Sequence, residues 1–144
     1  MNMQSYLTNM PKAELHLHLE GTLSPETTVK ITQRNNLDYF KTVDEIKESL
    51  ANRPPGLMGF LEHHFKSQNV MQTQQDFHDA TYTLIEKLDE NNVIYVDLFF
   101  DPQAHTSRGI PFGEFFGGID SAREDAKEKF ATEVNLIMCF HRER

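Results

Sequence analysis

A short stretch near the start of the chain alternates strictly between apolar and ionisable residues. It contains the run Glu14-Leu15-His16-Leu17-His18-Leu19-Glu20. This period of two predicts a β-strand over about residues 13–19, with the leucines buried on one face and the ionisable groups on the other. Ionisable groups need partners when they are buried, and a metal ion suits two neighbouring imidazoles. We therefore expect His16 and His18 to bind one metal ion, with Glu20 in phase beside them. A solvated edge strand is the alternative.

Caps and apolar spacings predict several helices after this strand. They cover about residues 25–34, residues 43–51, a segment around residues 57–65, and a long stretch from Thr73 to about Asn91. Residues 93–100 are almost continuously apolar and predict a strand that is covered on both faces. We expect a loop over residues 101–111, a helix over about 112–130 and a third buried strand over 134–140.

The predicted order is therefore one strand, several helices, a second strand, a helix and a third strand. Strands that are separated by helices pair in parallel through right-handed crossovers, which makes the chain an α/β protein. The carboxyl ends of such strands share one edge of the sheet. His16 and His18, then Asp101 and His105, and finally Phe140 and Arg142 should meet there.

Composition narrows the classes of function. The chain has 144 residues, one cysteine and a formal net charge of −8. This acidic balance argues against nucleic acid or an anionic membrane as a partner. A single cysteine rules out an internal disulfide, and no export segment or run of about 20 apolar residues is present. We expect a cytoplasmic protein, and the oligomeric state stays open.

Two motifs resemble a known family. They are PKAELHLHLEGTLSPE over residues 11–26 and FFDPQAH over residues 99–105. Both are similar to the adenosine/adenine deaminases, which are zinc-dependent amidohydrolases, and the second is similar to the adenine deaminase branch. The resemblance implies the amino-terminal portion of a TIM-type (β/α)8 barrel: about three strands with crossover helices, forming one partial domain over residues 1–144. A complete barrel usually needs about 250 residues.

The resemblance also implies a reaction, the hydrolytic removal of the 6-amino group of a purine. Zinc would lower the pKa of a water molecule, the resulting hydroxide would attack C6, and a carboxylic acid would protonate the ring. The expected conversion is adenine to hypoxanthine and ammonia, in purine salvage. Glu20 occupies a position where nucleoside-cleaving relatives hold an Asp near the sugar, and its longer side chain favours the free base. Adenosine deamination to inosine is the alternative.

The resemblance assigns His16 and His18 as zinc ligands and places Glu20 beside the substrate. Asp101, which follows the second strand, and His64, on the apolar stripe of its helix, are further candidates for substrate binding. Packing for His64 and loop shaping for Asp101 are the alternatives. The remaining ligands and every catalytic residue are expected beyond Arg144, so we expect a fragment of a longer reading frame that is inactive alone. A metal-dependent phosphohydrolase and a non-catalytic interaction module with open sheet edges are the competing hypotheses.

Overall fold

Three parallel strands form a sheet in sequence order in the computed structural model, which describes residues 2–140. The strands are β1 (Lys12–His18), β2 (Val93–Phe100) and β3 (Glu133–Met138). The helices are α1 (Met3–Asn9), α2 (Pro25–Arg34), α3 (Val43–Ala51), α4 (Gly56–Gln68), α5 (Gln74–Glu90), α6 (Pro102–Thr106) and α7 (Phe112–Lys127). The predicted α/β class and the parallel pairing are confirmed.

Helices cover one face of the sheet and leave the other open in the described part of the chain. Val96, Leu98 and Phe100 alternate along β2 and are buried in the core, where α5 lies against the strand. The positions between them, including Asp97 and Phe99, are partly exposed. The prediction that β2 is covered on both faces is therefore wrong for these residues. The burial of β2 alternates along the strand, but its sequence is apolar on both faces except at Asp97, so the sequence did not reveal the alternation.

The long helix α5 follows its sequence signals closely. Thr73 caps it, and the side chain of Asp76 bonds back to the backbone of Thr73 in a reciprocal capping box. All five predicted inner-face residues are buried, namely Phe77, Ala80, Thr81, Leu84 and Leu88. The helix then packs against α7. These two helices and the sheet form the core beneath the site.

The strand β1 departs from the predicted alternation. Glu14 is paired with Val96 and Leu17 with Leu98, so β1 has one more residue than β2 between these pairs. This β-bulge breaks the leucine face, because an extra residue shifts the following side chains by half a period. Leu15 is accordingly 64% exposed, while Leu17 packs against the core.

Several other expectations need correction. The chain before β1, for which no helix was predicted, contains the helix α1, whose start is capped by Asn2. The loop predicted over residues 101–111 contains the short helix α6. The third strand alternates between exposed and half-buried positions instead of being buried, because it pairs only with β2 among the described residues. Over residues 2–140, none of the helices has both the length and the apolar character needed to cross a bilayer.

Candidate metal and ligand site

The two histidines of β1 face each other on the open side of the sheet. Their Nε2 atoms lie 3.3 Å apart. Both imidazole rings stack on Phe99 of β2, with centroid distances of 4.5 Å for His16 and 5.3 Å for His18. The bulge in β1 leaves both rings on this face. The structure therefore brings together the pair that the sequence singled out.

The separation of the two nitrogens fits a shared metal ion. Two nitrogens bound to one tetrahedral zinc at about 2.05 Å lie about 3.3 Å apart. The Nε2 atoms of His16 and His18 already have this spacing. Both side chains remain accessible from the open face, where His16 is exposed. The pair can supply two ligands, and a catalytic zinc site normally has at least three protein ligands.

The other nitrogen of His18 belongs to a second group of candidate ligands. Nδ1 of His18, a carboxylate oxygen of Asp101 and the sulfur of Cys139 all lie within 4.8 Å of one another. The Nδ1 atom is 3.8 Å from Oδ1 of Asp101, which is within ion-pair range but longer than a hydrogen bond. A carboxylate in this position can orient a histidine that binds a metal through its far nitrogen.

Cys139 is a residue that the sequence analysis missed. Its thiol lies against Oδ1 of Asp101, and its sulfur is 3.3 Å from the carbonyl oxygen of Phe100. Burial, together with the Asp101 carboxylate, raises the pKa of this thiol to about 12. The signal that reveals it is topological: Cys139 immediately follows β3, so parallel pairing brings it to the ends of β1 and β2.

Glu20 lies in a different place from the one that the alternation predicted. β1 ends at His18, and a 3-10 turn over Leu19–Gly21 carries the Glu20 side chain away from the strand face. Glu20 is completely buried. Its Oε1 accepts hydrogen bonds from the backbone N–H of Asp101 and from Nε2 of His105, both at 2.9 Å. The expectation that Glu20 continues the row of His16 and His18 is therefore wrong.

The hydrogen bonds of His105 define its tautomer. Arg108 can only donate, and its Nη2 lies 2.9 Å from Nδ1 of His105, so Nδ1 accepts. The remaining nitrogen, Nε2, therefore carries the hydrogen and donates it to Glu20. Burial lowers the pKa of the Arg108 guanidinium below its ordinary value, although Tyr39 opposes this effect. Three buried or half-buried side chains are thus linked by hydrogen bonds in the order Arg108, His105 and Glu20.

A cavity of about 330 Å³ adjoins the metal candidates. Its walls are mostly apolar and come largely from α4, and its polar wall residues are His18, His64, Asp101 and Thr22. The apolar stripe of α4 was predicted to be an ordinary amphipathic face. Leu57 and Phe60 of this stripe are 69% and 47% exposed, and part of the stripe lines this cavity.

A second, smaller cavity of about 170 Å³ is also lined by His64 and Gly21. It shares these two residues and Phe60 with the first cavity. Glu20 lines it. Of the predicted substrate residues, His64 and Asp101 line the larger cavity, and His64 and Glu20 line the smaller one. Phe140 is 67% exposed, and Arg142 lies outside the described residues.

The fold and the site together define a class of protein. Parallel strands joined by helices, with paired imidazoles at the carboxyl end of the first strand, match the amino-terminal part of an amidohydrolase β/α barrel. The model of the family "Adenosine deaminase" matches residues 11–144. The chain therefore belongs to the adenosine deaminase family.

Individual relatives agree with this assignment. The chain is 41% identical over 143 residues to the adenine deaminase of Acinetobacter baylyi, covering 99% of this chain and 42% of the relative. The crystal structure of adenine deaminase from Arthrobacter aurescens superposes with a TM-score of 0.84 at 35% identity, over 90% of this chain and 39% of that one. A zinc-bound amidohydrolase from Burkholderia ambifaria shares the fold, with a TM-score of 0.83 at 23% identity, over 100% of this chain and 40% of that one. The chain thus spans less than half the length of these relatives.

Proposed function

We propose that the protein containing this chain is a zinc-dependent hydrolase that converts adenine to hypoxanthine and ammonia. The observation that carries the proposal is the 3.3 Å separation of the His16 and His18 Nε2 atoms, which suits one shared metal ion. The relatives from Acinetobacter baylyi and Arthrobacter aurescens, both named adenine deaminases, support adenine as the substrate. Adenosine is the second candidate, because the matching family model is that of adenosine deaminase.

The residues of this chain have separate tasks in the proposal. His16 and His18 hold the metal, and Asp101 orients His18 from the side of Nδ1. Zinc, when bound, would make hydroxide available near neutral pH for attack on C6 of the purine. The apolar wall of the larger cavity provides a surface for the flat purine ring, and its polar residues His64 and Asp101 fix the orientation of that ring.

The choice of the free base rests on Glu20. Its side chain is fully buried, and Glu20 lines the smaller cavity, which shares His64, Gly21 and Phe60 with the larger one. A ribose attached to the purine needs room beyond the base, and a glutamate leaves less room than the shorter aspartate of nucleoside-cleaving relatives. We therefore rank adenine above adenosine as the substrate.

The proposal is tested on the protein expressed from its complete reading frame. We expect about one zinc per chain by elemental analysis and release of ammonia from adenine. The variants His16→Ala and His18→Ala should lose most of the bound metal, because each removes one of the two imidazoles that hold the ion in this proposal. His78→Ala is the matched control, since His78 pairs with Asp125 on the helices and lines neither of the two cavities.

Metal content decides between a shared ion and a simple hydrogen bond between the two rings. If the purified protein binds no metal and keeps its activity in the presence of a chelator, the proposal is wrong. If it binds metal but releases phosphate from phosphate esters and no ammonia, the phosphohydrolase alternative holds instead. Catalytic residues beyond Arg144, inactivity of the 144-residue chain alone, a cytoplasmic location and a place in purine salvage stay predictions.

A further inference from the structure

Only one of the two carboxylate oxygens of Glu20 accepts hydrogen bonds from residues 2–140. Its Oε1 accepts two hydrogen bonds, from the backbone N–H of Asp101 and from His105. Its Oε2 is buried and has no hydrogen-bond partner among residues 2–140. Buried polar atoms almost always have a partner, so a buried carboxylate oxygen without one marks a place for a donor from a ligand or a water molecule.

The surroundings of Glu20 hold this arrangement in place. The ring of His105 is fully buried between Phe77 and Phe115, with centroid distances of 4.7 Å and 5.2 Å. Arg108 donates to the Nδ1 atom of His105, which keeps the hydrogen on Nε2. Arg108 is itself fixed by bonds to the carbonyl oxygens of Ala104 and Met71, both at 3.1 Å.

These hydrogen bonds prevent Oε1 of Glu20 from binding a ligand. Rotation of the carboxylate would break two hydrogen bonds in a buried site, where polar atoms left without a partner are costly. Oε2 is therefore the oxygen that remains for binding. It can only accept a hydrogen bond, so its partner must carry an N–H or O–H group.

We propose that Arg108 and His105 position Glu20 so that its Oε2 accepts a hydrogen bond from the imidazole-ring N–H of a free purine. The inference rests on the proposed function, because it takes adenine as the ligand. Adenine has two kinds of donor, the 6-amino group and the imidazole-ring N–H. The 6-amino group is at the reacting carbon, beside the metal pair, so the ring N–H is the donor that remains for Glu20. A nucleoside lacks this hydrogen, and a buried acceptor left unpaired disfavours its binding.

The test compares the binding of adenine and 9-methyladenine to the metal-stripped protein from the complete reading frame, by calorimetry. Because binding needs no turnover, a failure to deaminate leaves this measurement unaffected. The wild type should bind adenine about 10- to 100-fold more tightly, the ratio expected for one hydrogen bond to a charged group. Glu20→Gln replaces the free oxygen by an N–H group, which cannot accept the hydrogen bond. The ratio of the two affinities should then fall to the value that the steric effect of the methyl group alone produces.

The positioning residues are tested by the same ratio. His105→Leu removes the donor to Glu20 and should lower the ratio about as far as Glu20→Gln does, with no further loss in the double variant. His105→Gln keeps an N–H donor and should restore part of the ratio. Arg108→Met provides a second variant if His105→Leu does not fold. His78→Leu and His78→Gln are matched controls that should leave the ratio unchanged, since His78 pairs with Asp125 away from both cavities.

Three outcomes would overturn the inference. In the first, neither purine binds. In the second, the wild type binds both purines equally. In the third, the ratio survives Glu20→Gln, which means that Oε2 is served by an ordered water molecule. If His105→Leu and Arg108→Met lower only the melting temperature while the ratio stays at the wild-type value, then these residues stabilise the fold and do not position Glu20. A protein that discriminates as expected but releases no ammonia after metal loading contradicts the proposed deamination and leaves this inference standing.

Discussion

The carboxylate of Asp79 links two helices of the first crossover, α2 and α5. It lies on α5 and accepts hydrogen bonds from Arg34 of α2 at 2.5 Å and from Gln75 at 2.8 Å. Lys30 of α2 forms an ion pair with it at 3.0 Å. Burial alone would raise the pKa of Asp79, but these donors outweigh burial and lower the pKa to about 2. The carboxylate therefore joins the two helices in its charged form.

The low pKa of Asp79 predicts a specific acid sensitivity. The stabilisation is fully present above the ordinary pKa of 3.8 and is lost as the pH falls towards about 2. We expect Asp79→Asn to cost about 2 kcal/mol of unfolding free energy at pH 7 and to flatten the loss between pH 4 and pH 2. Urea unfolding at pH 7, 4 and 2 measures both effects. Asp38→Asn, at an exposed aspartate, should change neither. An unchanged acid profile in Asp79→Asn would contradict the assignment.

Predictability at the scale of single residues depended on local spacing. His16 and His18 were found because residues two apart on a strand lie on the same face. Glu20 was misplaced because the strand ends at His18, and no spacing rule marks the 3-10 turn that follows. Cys139 was missed as a neighbour of Asp101 because their contact depends on strand register, which the sequence does not show.

The close packing of α5 against α7 depends on one small residue. A Cβ atom added at Gly118 of α7 would lie 2.3 Å from the carbonyl oxygen of Gln74 and 2.8 Å from Cβ of Phe77. Both of these atoms belong to α5, and one is backbone. The helices must therefore move apart to admit even a methyl group.

This contact predicts opposite effects for two glycines of the same helix. Gly118→Ala should destabilise the protein by about 1–3 kcal/mol through overpacking. Gly113→Ala should stabilise it by up to about 1 kcal/mol, because a Cβ at Gly113 meets nothing within 4 Å and alanine favours the helix. Urea unfolding of the two variants at neutral pH provides the comparison. Equal effects of the two substitutions would show that helix propensity, and not the contact, governs both positions.

Predictability at the scale of elements followed the strength of the capping signals. The bounds of α2, α3 and β2 match the prediction, because Ser24 and Thr42 cap the two helices and a dense apolar run marks the strand. The short helices α1 and α6 lack such periodicity over enough residues to reveal them. The bulge in β1 arises from pairing with β2, so it is a tertiary property that the sequence of β1 alone does not contain.

At the scale of the whole molecule, both outer strands have an unpaired edge within residues 2–140. β1 and β3 each pair only with β2. Large apolar side chains lie near these edges and on the open face, including Leu15, Met138 and Phe140, which are 64%, 45% and 67% exposed. Unpaired strand edges favour pairing with another chain.

The 144-residue chain, expressed alone, should therefore self-associate, and sedimentation velocity over a range of concentrations should show it. Leu15→Lys, on an edge strand, should reduce the association because a lysine disfavours edge pairing. Leu57→Lys is the matched control, since Leu57 is similarly exposed at 69% but lies on the helix α4. A monomer at every concentration, or an equal effect of both substitutions, would contradict association through the sheet edge.

The hydrogen bond between Glu20 and His105 joins positions 85 residues apart in the chain. Closing so long a loop has an entropic cost, and contacts of this kind form after local helices do. During synthesis, the two imidazoles of β1 leave the ribosome well before the histidine that orients Glu20. The two imidazoles are thus close in the sequence itself, whereas the carboxylate that we propose for purine binding acquires its orientation only when the first crossover has been completed and the second strand is in place.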